Sequence, residues 1–135
     1  MIEVTTMLSD FLAVTTLVVT DVDVARAFYE EQLGLTLLDA SPAGIRFGAG
    51  KGSQLTIRRG QPSASGQTVM HFEVDDVEAA VRDLASRGVA FEDYETPKTV
   101  NGIAQFGPVR AAWFKDPAGN VLGLREGPVP APAAG

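Results

Sequence analysis

Val19-Thr20-Asp21-Val22 returns 55 residues later as Val74-Asp75-Asp76-Val77, and Leu33-Gly34-Leu35 returns 54 later as Arg87-Gly88-Val89. In a chain of 135 residues, a period near half the length means two copies of one supersecondary unit. Each copy carries helix punctuation. Asp21 and Asp76 have N-cap chemistry, and Asp23 in the first turn faces the positive helix end. Gly34 and Gly88 stop the helices as C′ residues do. The spacing predicts helices over Asp21–Leu33 and Asp76–Arg87. In the second, Val77, Ala80, Val81, Leu84 and Ala85 form one apolar stripe.

Strand patterns surround both helices. Leu12–Val19 is rich in β-branched residues. Leu35–Asp39, Gly44–Gly48 and Gln54–Arg58 follow the first helix. Val89–Tyr94, Val109–Phe114 and Val121–Arg125 follow the second. The reading is α+β: a βαβββ unit, twice. One domain is expected over residues 1–126, with modules at about 10–60 and 67–126 divided by the polar connector 61–67. Ile2–Thr6 has the composition of a short edge strand. Gly127–Gly135, rich in Pro and Ala and without charge, reads as a disordered tail.

Composition narrows the function classes. Hydrophobic residues at 45% supply a core. The net charge of −6 repels phosphate backbones, so no nucleic-acid partner is expected, and a neutral or cationic ligand suits the surface better. The chain has no cysteine, which excludes a disulfide scaffold, a thiolate metal site and a cysteine nucleophile. No apolar run approaches the roughly 20 residues of a membrane span, and no basic segment leads into an apolar one at the N-terminus. No membrane association and a cytoplasmic location are therefore expected.

Three motifs carry a resemblance. Phe28-Tyr29-Glu30-Glu31-Gln32-Leu33-Gly34-Leu35, His71-Phe72-Glu73-Val74-Asp75-Asp76 and Trp113-Phe114-Lys115-Asp116-Pro117-Ala118-Gly119-Asn120 resemble the glyoxalase / bleomycin-resistance / extradiol-dioxygenase superfamily, the vicinal oxygen chelate proteins, over about residues 10–126. Taken by themselves these residues also have plain structural roles. Asp116-Pro117-Ala118-Gly119 is a turn sequence, and Phe28 and Tyr29 suit packing of the helix on a sheet. The resemblance implies two curled mixed sheets forming a cleft.

It also implies, in the metalloenzyme members, four ligands on the first, fourth, fifth and eighth strands, where the metal acts as a Lewis acid. Carried onto this chain, those positions fall on Val14, Gln54, His71 and Gly123, with Thr56 as an alternative to Gln54 as the counterpart of Gly123. Val14 has no donor atom and Gly123 has no side chain. A divalent ion needs about three or more protein ligands, so no metal and no other cofactor is expected.

Strand alternation then assigns the cleft lining. Val14, Thr16 and Val18 face inward on the first strand, Gln54 and Thr56 on the fourth, His71 and Glu73 on the fifth, Val121 and Gly123 on the eighth. The longest irregular stretch, residues 96–108, contributes Ile103 and Phe106 as a cover, and Trp113 follows as a stacking surface. The expected ligand contacts are Val14, Thr16, Gln54, Thr56, His71, Glu73, Phe106, Trp113 and Gly123. His71 and Glu73 are the catalytic candidates.

Three functions remain open. The first is a metal-free small-molecule-binding protein that sequesters an antibiotic or metabolite. The second is a glyoxalase-like metal-dependent lyase or isomerase, or a dioxygenase. The third is a metal-independent acid–base enzyme using His71 and Glu73. A half-open cleft leaves apolar strand surface to cover, so a homodimer is expected.

Overall fold

The structure is a computed structural model that describes residues 7–130. The edge strand expected at Ile2–Thr6 and the last five residues of the expected tail lie outside the described residues. Strand β1 (Val14–Val19) leads into helix α1 (Val22–Ala27), then β2 (Thr36–Ser41), β3 (Gly44–Gly48) and β4 (Gln54–Arg59). The second half repeats this with β5 (Thr68–Glu73), α2 (Val77–Ser86), β6 (Ile103–Phe106), β7 (Val109–Lys115) and β8 (Val121–Glu126). The sheets have the orders β1-β4-β3-β2 and β5-β8-β7-β6. In each, the first and last strands of the repeat pair in parallel and the others antiparallel. Both sheets are mixed and open, giving an α+β fold of two tandem modules that form a cleft.

The helix ends follow the residue chemistry. Asp21 Oδ1 accepts from Val24 N at 3.1 Å, and Asp76 Oδ1 from Ala79 N at 3.1 Å. After Ala27 the first helix widens over Phe28–Gln32, where Leu33 N donates to Phe28 O, five residues back. Gly34 (φ 75°) and Gly88 (φ 90°) take the left-handed conformation that ends each helix.

One cluster of buried residues runs through both halves. It joins Leu17, Phe47, Leu55 and Ile57 of the first sheet to Phe114, Leu122 and Leu124 of the second. The widened turn supplies its centre. Phe28 sits edge-on to Tyr29, with ring centres 5.3 Å apart, and reaches Phe114 at 6.3 Å. Polar bonds add to the seam. The Tyr29 hydroxyl donates to Asp116 Oδ2 at 2.6 Å, and Asn120 Nδ2 donates to Val18 O at 2.9 Å. Asp116 Oδ1 also accepts from Ala118 N and Asn120 N. The Asp-Pro-Ala-Gly turn is thus a turn and an anchor between modules.

The sixth strand differs from expectation. Within Val89–Tyr94 only a short piece pairs: Phe91 bridges Phe114, and Glu92 N donates to Trp113 O at 2.8 Å. The chain then leaves the sheet and returns as β6, which pairs residues 109–112 of β7. Two separate segments therefore fill one edge position in series. Part of the expected irregular stretch is a strand, entered through the tight turn Val100–Ile103 with Asn101 at φ 54° and Gly102 at φ 81°. That pair of positive angles is a type I′ turn, which Asn-Gly favours.

Candidate functional site

Strand β5 points His71 and Glu73 to one face, while Met70 and Phe72 pack on the core side. His71 Nε2 lies 2.8 Å from Glu73 Oε1, and Arg125 Nη1 donates to Glu73 Oε2 at 2.9 Å. Burial pushes the Glu73 carboxyl up, but the hydrogen bonds from His71 and Arg125, and then their charges, outweigh it and hold Glu73 below the usual carboxylate range. An ionised carboxylate only accepts, so His71 Nε2 carries the proton. In the neutral ring Nδ1 is then the free acceptor. Arg125 also donates from Nη2 to Pro128 O at 3.2 Å, tying the first residues of the tail to the site.

Gly123 forms the floor beside this group. It pairs with His71 on one side and Trp113 on the other. A Cβ added there would meet His71 Cβ at 3.3 Å, Thr68 Cγ2 at 3.5 Å and Trp113 Cδ1 at 3.5 Å. The neighbouring side chains already close over this position, and the three strands pack tightly here. Trp113 stands edge-on to Tyr94, with ring centres 5.7 Å apart. Burial, then the Glu92 charge, raises the Tyr94 phenol above its ordinary value, against the opposing pull of Lys115.

The first sheet presents a second set. Val14 pairs with Gln54 and Thr16 with Thr56. Gln54 Oε1 accepts from Arg46 Nη1 at 3.3 Å. Thr56 pairs with Arg46 across β3, and its hydroxyl is buried without a hydrogen-bond partner. It lines a cavity of ≈ 240 Å³ with Asp39 and Arg46.

The structure thus places eight of the nine expected contact residues in two groups, with Phe106 apart from both. His71, Glu73, Trp113 and Gly123 adjoin one another on the second sheet. Val14, Thr16, Gln54 and Thr56 adjoin on the first. Phe106 lies at the far end of β6, opposite Val109, and is 47% exposed. Trp113 is four positions beyond Val109, about 13 Å along a strand. Ile103, expected as a cover with Phe106, packs against the core instead and so lies on the opposite face. Sequence reasoning passed over Arg125, Arg46, Thr68 and Tyr94. Arg125 sits two residues after Gly123, so the alternation already used for Gly123 was the available signal. Tyr94 had none, because its neighbour Trp113 is distant in sequence.

Strand register also bears on a metal. His71 is the 55-residue counterpart of Thr16, whereas Val14 maps onto Val69. Thr16 pairs with Thr56 as His71 pairs with Gly123, which makes Thr56 the counterpart of Gly123. Of the register set Thr16, Thr56, His71 and Gly123, only His71 offers a ring nitrogen, the threonines offer neutral hydroxyls and Gly123 has no side chain; Val14 has no side-chain donor either. Among the described residues no three His, Cys, Asp or Glu side chains gather as a metal set. The donor chemistry does not fit the four-ligand centre of the metalloenzymes.

Solved structures share this architecture. UcmS2 is 23% identical with a TM-score of 0.71, covering 86% of this chain and 97% of its own, a likeness of fold. TnmS3, described as an antibiotic binding protein from Streptomyces sp. CB03234, is 27% identical with a TM-score of 0.68, over 87% and 96%. A glyoxalase/bleomycin resistance protein from the same Streptomyces is 30% identical with a TM-score of 0.65, over 86% and 100%. No curated protein matches the chain. The family model for the Glyoxalase/Bleomycin resistance protein/Dioxygenase superfamily matches residues 11–124, a span that runs from ahead of β1 into β8 and takes in both helix caps and the inter-module turn, and the chain belongs to that superfamily.

Proposed function

We propose that the protein binds a small organic molecule on the cleft faces of its sheets and holds it without chemical change, working as a cytoplasmic homodimer. The observation that carries this reading is the half-exposed His71, held by Glu73 and Arg125 on the sheet face that also carries Trp113. Gly123 between His71 and Trp113 has no side chain, so the eighth strand brings no side-chain donor at this position. His71 supplies a hydrogen-bond acceptor or donor, Arg125 and Glu73 fix its orientation, and Trp113 gives a flat apolar surface. The likeness to an antibiotic binding protein at 27% identity supports the same reading.

The His71–Glu73 contact favours a second reading, an acid–base enzyme in which Nδ1 takes a proton from the ligand. One experiment separates them. Trp113 is the only tryptophan in the chain, so its fluorescence reports on this face of the second sheet. Bleomycin, taken as the probe, is expected to quench it saturably, to be recovered unchanged by mass spectrometry, and to bind more weakly to His71→Ala. Recovery of a transformed product supports the enzyme. Absence of saturable quenching counts against ligand binding at this face for that class of drug.

A further inference from the structure

The other face of the second sheet carries a groove of its own. Side chains alternate along a strand, so Ile103 of β6 and Arg110 of β7 point away from Trp113 and His71. They line one groove with Glu78, Val81 and Arg82 of α2 and with Lys98 and Val100. The cavity is ≈ 760 Å³, within the range of small-molecule sites.

Its charge is out of balance. Arg110 is satisfied, bonded to Glu78 and 3.6 Å from Glu126. Arg82 and Lys98 have no ion pair among the described residues. On a chain of net charge −6, two cations without an ion pair line one groove whose single carboxylate, Glu78, is engaged by Arg110. The same groove is lined by Val81, Ile103 and Val100, the last 63% exposed. Val100 is held there by a built turn. Gly102 is buried, its N–H donates to Asp93 Oδ1 at 2.9 Å, and the Thr99 hydroxyl donates to the same oxygen at 3.0 Å. The rim is preorganised, which reduces the ordering cost of binding.

We propose that this groove is a second binding site, separate from the cleft, for a small organic anion. Arg82 and Lys98 hold one carboxylate or phosphate group, and Val81, Val100 and Ile103 receive an apolar body. The proposal stands apart from the reading of the cleft.

Amide NMR of the full chain tests it with octanoate, octyl phosphate and octylamine as probes. The expected result is saturable shifts at Arg82 and at residues 98–103 with an anionic probe and none with octylamine. Comparison of the two anions tells which head group the site prefers. Arg82→Gln with Lys98→Gln, checked for an unchanged melting curve, is expected to weaken binding about tenfold or more, the loss of at least one charge-assisted hydrogen bond. His71→Ala is expected to leave binding at the groove unchanged. The proposal is overturned by an absence of saturable shifts there with both anions, by equal binding of octylamine, or by undiminished binding in the double variant.

Discussion

The hydroxyl of Tyr29 lies 2.6 Å from Asp116 Oδ2, and this bond joins the end of the first helix to the last hairpin turn. Both residues are buried. Burial, reinforced by the Asp116 charge and by the bond itself, raises the phenol far above its ordinary value near 10. Tyr29 therefore stays a neutral donor, and Asp116 receives it together with Asn120 Nδ2.

Tyr29→Phe is expected to destabilise the protein by about 1.5–3 kcal/mol, the usual contribution of a hydrogen bond to a charged acceptor. A shift in the urea midpoint with an unchanged slope checks this. A stability equal to that of the native chain shows that Asn120 and the backbone donors satisfy Asp116 alone.

The same residue sets an alkaline limit. A group whose pKa is raised by folding contributes stability that is fully present below its unfolded value and lost as pH rises beyond it. Stability of the native chain is expected to fall above about pH 10, and that of Tyr29→Phe to fall less steeply. Parallel curves from denaturant titrations at a series of pH values contradict the assignment.

Glu73 behaves in the opposite sense. Its lowered pKa contributes stability at neutral pH that is lost as pH falls through the carboxylate range. The group is 39% exposed, so the stability effect is small and the titration midpoint is the better measure. Carboxyl ¹³C NMR is expected to show the midpoint rising toward its ordinary value in Arg125→Ala and in His71→Ala. An unmoved midpoint in both means the three side chains are not coupled in solution.

Gly123→Ala is expected to reduce bleomycin quenching of Trp113, because the new Cβ would press on His71 Cβ at 3.3 Å and on Trp113 Cδ1 at 3.5 Å and displace both. Overpacking of this kind costs about 1–3 kcal/mol, so a thermal melt should fall as well. Full ligand affinity in the variant places the ligand elsewhere.

Assembly has its own test. Met7, Leu8, Phe11 and Leu12 are all exposed ahead of β1. The native chain is expected to sediment at twice its 14.2 kDa mass, and Leu8→Lys with Phe11→Lys to shift it toward the monomer. A native monomer at high concentration removes the dimer from the proposed function.

The repeat made the helices and most strands legible, because capping aspartates and terminal glycines act locally. The sixth strand was not. Val89–Tyr94 has suitable side chains for a strand, and nothing local tells that the chain departs after Glu92. Asn101-Gly102 between Val100 and Ile103 was a hairpin signal within the stretch read as irregular. At the site, alternation assigned His71 and Glu73 to one face. The ties to Arg125, Arg46 and Tyr94 depend on which strands become neighbours, and a single strand pattern carries no such information.

Two segments filling one edge of the second sheet, Phe91–Glu92 and then Ile103–Phe106, also leave a natural splice point. The residues between them can be lengthened, shortened or exchanged while both flanking segments keep their places beside β7. Because that insert carries Lys98 and Val100 and also Tyr94, whose ring stands against Trp113, grafting a different one would alter the proposed anion groove and one wall of the cleft together. The fold has, at this edge, a replaceable cassette.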